Sequence, residues 1–230
     1  MSLYHCKTVT GIPLRYDRIT ELGVPYLNPK WVPKASKEFC SRLQALGHFL
    51  QERKYFELAP YPNLVVPPFE ILTAGLWVNK PGAHGTGDAM DFDGIWMPNS
   101  RRVYLYKKIS KKKVVDGYEI SSMTRKLTSR LECAISLFFG VVLTEHYNTR
   151  HQCHIHFDTT KPEAKWRGTR SQIVILQNAL RNIFGEKAVK IDGVIGPITM
   201  KAFGQVTGYK KMNDGTWYNF LNLHATDFTA

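Results

Sequence analysis

The stretch His151-Gln152-Cys153-His154-Ile155-His156-Phe157-Asp158 decides how the rest of the chain is read. In an extended strand alternate side chains share a face, so His154, His156 and Asp158 project together. Cys153, Ile155 and Phe157 then face the other way, into a core. Two imidazoles and a carboxylate above an apolar underside suit a metal or catalytic floor. A His-x-His pair alone often binds nothing, so a third donor is needed.

A second cluster, His84-Gly85-Thr86-Gly87-Asp88-Ala89-Met90-Asp91, supplies it. Gly85 and Gly87 let the chain fold back between His84 and Asp91 and bring both side chains to one point. The small residues Gly87 and Ala89 alternate with Asp91 and leave room beside its carboxylate. Two histidines and one carboxylate are a zinc donor set that keeps a fourth position open for water and substrate. Such a site activates water near neutral pH and polarises a carbonyl.

Around these clusters the chain reads as α+β. Pro13, Pro25, Pro29 and Pro33 break the N-terminal stretch into short pieces. Phe39, Leu43, Leu46, Phe49 and Leu50 recur at helical spacing, predicting a helix from Ala35 to about Arg53. A proline-rich passage follows, from Pro60 to Pro68. Short strands are expected over Leu72 to Ile95, another over Arg101 to Lys113 ending in a Lys111-Lys112-Lys113 turn, and a second long helix over Ser122 to Phe139. Val141 to Asp158 reads as strand, loop and strand. The expected catalytic fold is a small antiparallel sheet with helices on one side. Residues 1–160 form this unit, 161–169 are a polar linker, and 170–230 are a separate module. The module opens with a helix over Ser171 to Phe184, with Ser171 as N-cap.

Composition limits the function classes. The chain has 230 residues, 43% hydrophobic, enough for a core and a compact appendage. Its net charge of +12 favours polyanionic partners such as nucleic acid, anionic lipid or bacterial wall. Tyr104, Tyr106 and the surrounding lysines prompt a nucleic-acid reading, but no recognition motif accompanies them, so no nucleic acid is expected. The longest apolar run, Cys133 to Leu143, is too short to insert in a membrane. The opening Met-Ser-Leu-Tyr-His-Cys lacks the pattern of a secretory signal. Cys6, Cys40, Cys133 and Cys153 form no Cys-x-x-Cys pair; reduced thiols and one or two disulfides both remain open.

His84-Gly-Thr-Gly87-Asp-Ala89-Met-Asp91-Phe92 resembles the His-x-x-Gly-x-Ala-x-Asp-Ile signature of the D-Ala-D-Ala carboxypeptidase and metallo-endolysin superfamily. Arg130-Leu-Glu-Cys133, Phe139-Gly-Val-Val-Leu143, Tyr147-Asn148 and the His151 to Asp158 cluster resemble the extensin-like C-terminal domain family over roughly residues 1–160. The resemblance implies a zinc peptidase of peptidoglycan with His84, Asp91 and His156 as metal ligands. His154 is implied as base or transition-state stabiliser, and His151 as its supporting neighbour. Asp158 either orients a histidine or caps the strand end, while Asp88 and Asp93 are expected to be exposed and His146 to lie in a loop.

Two departures from the family pattern stand out. Related sites often carry an acidic base three positions before the last ligand, where this chain has Cys153; Glu145 is an alternative base. An arginine usually precedes the first ligand to hold a substrate carboxylate, and here only Lys80 is available.

Further on, Leu176-Gln177-x-x-Leu180 followed by Asp192-Gly193-x-x-Gly196-Pro197-x-Thr199 resembles the peptidoglycan-binding domain 1 family. That implies a three-helix wall-binding module, with Asp192, Gly193, Gly196 and Thr199 chiefly structural. Trp217 and Tyr218 are candidates for stacking on sugar, with core packing expected for at least one of them. The partner is then peptidoglycan and the chain a monomer acting at the bacterial wall, either extracellular or periplasmic, or held in a host cytoplasm before release if it is a phage endolysin. The rival reading is a non-catalytic wall-binding protein with a degenerate peptidase domain. Which peptide bond is cleaved stays open.

Overall fold

The computed structural model describes residues 2–19, 25–27, 33–53, 70–97, 101–109, 113–115 and 117–226. The chain begins with β1 (Tyr4–His5), β2 (Thr8–Val9), β3 (Ile12–Ile19), β4 (Pro25–Leu27), β5 (Lys34–Ala35) and helix α1 (Lys37–Glu52). Next come β6 (Glu70–Gly75), the one-turn helix α2 (Ala83–Thr86), β7 (Ala89–Met97), β8 (Arg102–Leu105), β9 (Lys113–Val115) and β10 (Tyr118–Ser122). Helix α3 (Arg125–Phe138), β11 (Val141–Leu143) and β12 (Ile155–Asp158) precede three helices, α4 (Arg170–Asn182), α5 (Pro197–Thr207) and α6 (Asp214–Thr226). Pro29, the Pro60 to Pro68 passage and the Lys111-Lys112 part of the expected turn lie outside the described residues.

The α+β class holds, but the sheet is neither small nor purely antiparallel. Ten strands among the described residues join in it, and β3–β6 and β8–β10 pair in parallel. A parallel pair needs a crossover between its strands. Residues between β3 and β6, including α1, provide one, and the segment that carries β9 provides the other. Strand β7 lies at the centre. One edge pairs with β6, while the other pairs with β12 over residues 89–92 and with β8 over 94–97. The register against β6 steps from Phe92 to Gly94, so Asp93 is a bulge residue.

The helices pack where their apolar stripes dictate. Ser36 caps α1, its Oγ accepting from Phe39 N at 3.1 Å, and Phe39, Leu43, Leu46 and Leu50 are buried. Phe39 meets Phe139 and Phe157 at ring separations of 5.1 and 5.9 Å. Phe157 and Ile155 are therefore pinned to the core side of β12, and His156 must point the other way. Cys153 does not join them. It precedes the strand and is exposed, because the regular alternation begins only at Ile155.

All four cysteines are free thiols, those of Cys6 and Cys40 hydrogen-bonded to each other. The N-cap of α4 is Thr169 and not Ser171: Gln172 at the third helical position completes a capping box with it. Residues expected as a polar linker are tied to the chain before them, with Arg167 donating to the carbonyls of Pro162 and Gly140. Helix α3 contacts both α4 and α6, and one apolar core runs from α1 through the sheet to α6. No helix among the described residues is long and apolar enough to cross a membrane.

Candidate metal centre

Antiparallel pairing of β12 with β7 sets His156 directly opposite Asp91. Side chains of such a pair leave the sheet on the same face and nearly touch. His84 arrives from α2, a single helical turn where the glycines predicted a simple fold-back. The turn ends on Gly87, whose φ of 77° lies in the left-handed region that glycine adopts without strain. Gly87 O also accepts from Ser36 N at 2.8 Å, tying this turn to the start of α1. His84 is buried, at 5% exposure.

Three donor atoms converge. His84 Nε2 lies 3.2 Å from Asp91 Oδ1 and 3.2 Å from His156 Nδ1, and His156 Nδ1 lies 2.9 Å from Asp91 Oδ1. Ligands bound tetrahedrally to zinc sit about 3.3 Å from one another, close to these separations. The outer ring nitrogens set the tautomers. His84 Nδ1 donates to Leu76 O at 2.8 Å and His156 Nε2 to Asp158 Oδ2 at 3.2 Å. In the neutral rings both inner nitrogens then present lone pairs to one point, beside a carboxylate oxygen. A cation relieves that crowding of lone pairs, so this group of residues fits a metal ion.

Without a cation, a proton serves instead. Burial disfavours charge on His156, but hydrogen bonds to Asp158 and Asp91 outweigh it and raise its pKa to about 9. Burial likewise opposes ionisation of Asp91, yet its close contacts with the His156 and His84 rings hold its carboxyl well below the usual range. Asp158 fills both roles left open by the sequence: it orients His156, and it accepts from Thr160 N and Oγ1 where the strand ends.

His154 Nε2 is 3.6 Å from Asp91 Oδ1, at the rim of the same group. Burial lowers its pKa, which leaves a neutral imidazole able to take a proton. Its Nδ1 lies 3.3 Å from Cys153 Sγ. Partial desolvation and the Asp93 carboxylate push the Cys153 thiol up, so it is no base near neutrality. His151 stands beside both neighbours, with ring separations of 5.3 Å to His154 and 5.7 Å to His156, and its Nδ1 is 2.7 Å from Asn148 Oδ1. Burial lowers it to about 4, keeping it uncharged.

Other sequence candidates lie elsewhere. Glu145 turns to His146, 3.3 Å away, and lines a different cleft with Glu132. Lys80 is exposed near the centre, its charge felt at His154. Trp217 is buried at 1% exposure against Trp166 and Phe220 and presents no face to a sugar. Tyr218, 50% exposed on α6, stays accessible. Asp93, expected on the surface, is buried at the β7 bulge, and Asp88 is half-buried. Sequence reasoning met Glu132 only within the Arg130 to Cys133 resemblance and gave it no role; it is a carboxyl in the buried stretch of α3 at 1% exposure. Its signal was an acidic residue between Leu131 and Cys133, one turn from Ile135, in a helix with an apolar face.

Residues 74–170 match the family described as extensin-like protein C-terminus, a span that includes all three metal donors and His154. No curated protein and no solved structure matches the chain.

Proposed function

We propose that the protein is a zinc-dependent peptidase that hydrolyses a peptide bond in the stem peptides or cross-bridges of peptidoglycan. The observation that carries this reading is the convergence of His84 Nε2, Asp91 Oδ1 and His156 Nδ1 with His154 at their edge. Two imidazole nitrogens and one carboxylate oxygen are the donor set of hydrolytic zinc sites. When bound, zinc supplies a Lewis acid beside the scissile carbonyl. Neutral His154 holds and returns the proton at Nε2, the part an acidic residue at position 153 would otherwise play. His151 packs against the His154 ring and keeps it in place.

Peptidoglycan as substrate rests on the Asp192 to Thr199 motif. There Asp192 Oδ1 and Thr199 Oγ1 both accept from Gln177 Nε2, and Gly193 turns at φ 74°, structural roles that leave recognition to the exposed surface around them. A phage endolysin and a secreted bacterial enzyme both fit this activity.

Zymography on purified sacculi tests it. Zinc-loaded protein is expected to clear the gel and His156→Ala to leave it opaque, and mass spectrometry of the released muropeptides identifies the bond. An opaque gel with wild type overturns the proposal. Sedimentation with sacculi in that event supports the non-catalytic wall binder, a reading favoured by Cys153 at the position of the usual acidic base.

A further inference from the structure

Tyr106 joins two regions. Its backbone N–H donates to Asp93 O at 2.9 Å, two residues from the ligand Asp91, while its hydroxyl donates to Glu132 Oε1 at 3.0 Å. Beyond that hydroxyl a cleft of about 430 Å³ opens between the loop after β8, the first turns of α3 and one face of α4. That volume is within the range of small-molecule sites. None of the metal donors lines it.

Polar groups line the cleft together with Ile109 and Met123. Glu132 forms its floor, held by the Tyr106 hydroxyl and by Asn178 Nδ2 at 3.0 Å. Asn182 forms part of the α4 wall, its Nδ2 donating to Ser129 Oγ at 3.0 Å. At the mouth stand Lys108 and Arg125, both exposed and neither in an ion pair among the described residues. Glu145 lines the same cleft, 3.3 Å from His146, and the charges of Arg125 and Lys108 also bear on its carboxylate. The mouth thus carries two cations against Glu145, with the Glu132 carboxyl beneath them and walls in which amide and hydroxyl groups stand beside Ile109 and Met123. That pattern suits a carboxylate held at the mouth, preferably by the guanidinium, with amide and hydroxyl groups reaching inward.

We infer that this cleft is a second binding site, for a small carboxylate that also carries amide and hydroxyl groups, the chemistry of a muramyl peptide. The choice of a wall fragment rests on the proposed function; the site itself does not. It sits at the seam of the sheet domain and the C-terminal helices and needs both.

Calorimetric titration with muramyl dipeptide tests the inference. Wild type is expected to bind, Arg125→Ala and Asn182→Leu each to weaken the Kd by about tenfold or more, and His156→Ala to bind as wild type. Arg125 is exposed, so its removal leaves the fold intact, which circular dichroism checks. No binding up to about 10 mM, or an unchanged Kd in both Arg125→Ala and Lys108→Ala, overturns the site. Loss of binding in His156→Ala also overturns it, by placing the ligand at the metal centre. Failure of sacculus clearing leaves this titration untouched, so the two proposals fall separately.

Discussion

His156 is gripped at both ends of its ring, by Asp91 on one side and Asp158 on the other. Loss of the outer grip leaves the ligand in place but frees its orientation. Asp158→Ala is expected to weaken metal affinity by about 10–100-fold, read by competition with a chromogenic chelator, and unchanged affinity would remove Asp158 from the site. His84→Ala deletes a donor outright, and metal analysis of that variant is expected to find no stoichiometric ion. These residues were legible because strand periodicity and a short glycine-bearing spacing both act locally. Cys153 was misread because alternation holds only inside regular strand, and Asp93 because lying outside the matched family positions says nothing about burial. Cys153 precedes β12, and Asp93 sits on a bulge set by pairing with β6, a partner distant in sequence.

Helix α2 shows how one element carries a ligand. A Cβ on Gly85 would collide with the backbone oxygen of Lys80. Gly85→Ala is therefore expected to cost about 1–3 kcal/mol in urea unfolding and to lower bound metal with it, since the turn holding His84 must shift. Serine at the same position brings the same collision and should behave alike. Helix α4 offers a cleaner comparison. Thr169→Ala removes the capping box and is expected to cost about 1 kcal/mol, while Ser171→Ala costs clearly less. An equal loss in both would return the cap to Ser171. Helices were legible in their interiors, where the apolar stripe repeats, and less so at their ends, where one or two side-chain bonds choose among neighbouring hydroxyls.

Across the whole molecule, the groups least visible in sequence are those at the seam between α3 and α4. Burial raises Glu132 from its ordinary 4.5 to about 7, partly offset by hydrogen bonds from Asn178 and Tyr106. A raised acid binds its proton more tightly in the folded chain. Its stabilisation is complete below about pH 4.5 and is lost as pH climbs through 7. Urea titrations from pH 5 to pH 8 are expected to show stability draining away over that window, and Glu132→Gln to flatten the slope; an unaltered slope would place the titration elsewhere. The parallel pairings of β3–β6 and β8–β10 were equally out of reach, because they depend on crossovers between segments that carry no local mark. Helix α3 meanwhile acts as a keel, with α4 and α6 seated along it and Arg167 lashed to the chain ahead of it. A ligand spanning the two ends of the molecule must therefore present its contacts at one set spacing, as a key meets a rigid lock and not as a hook swings on a cord.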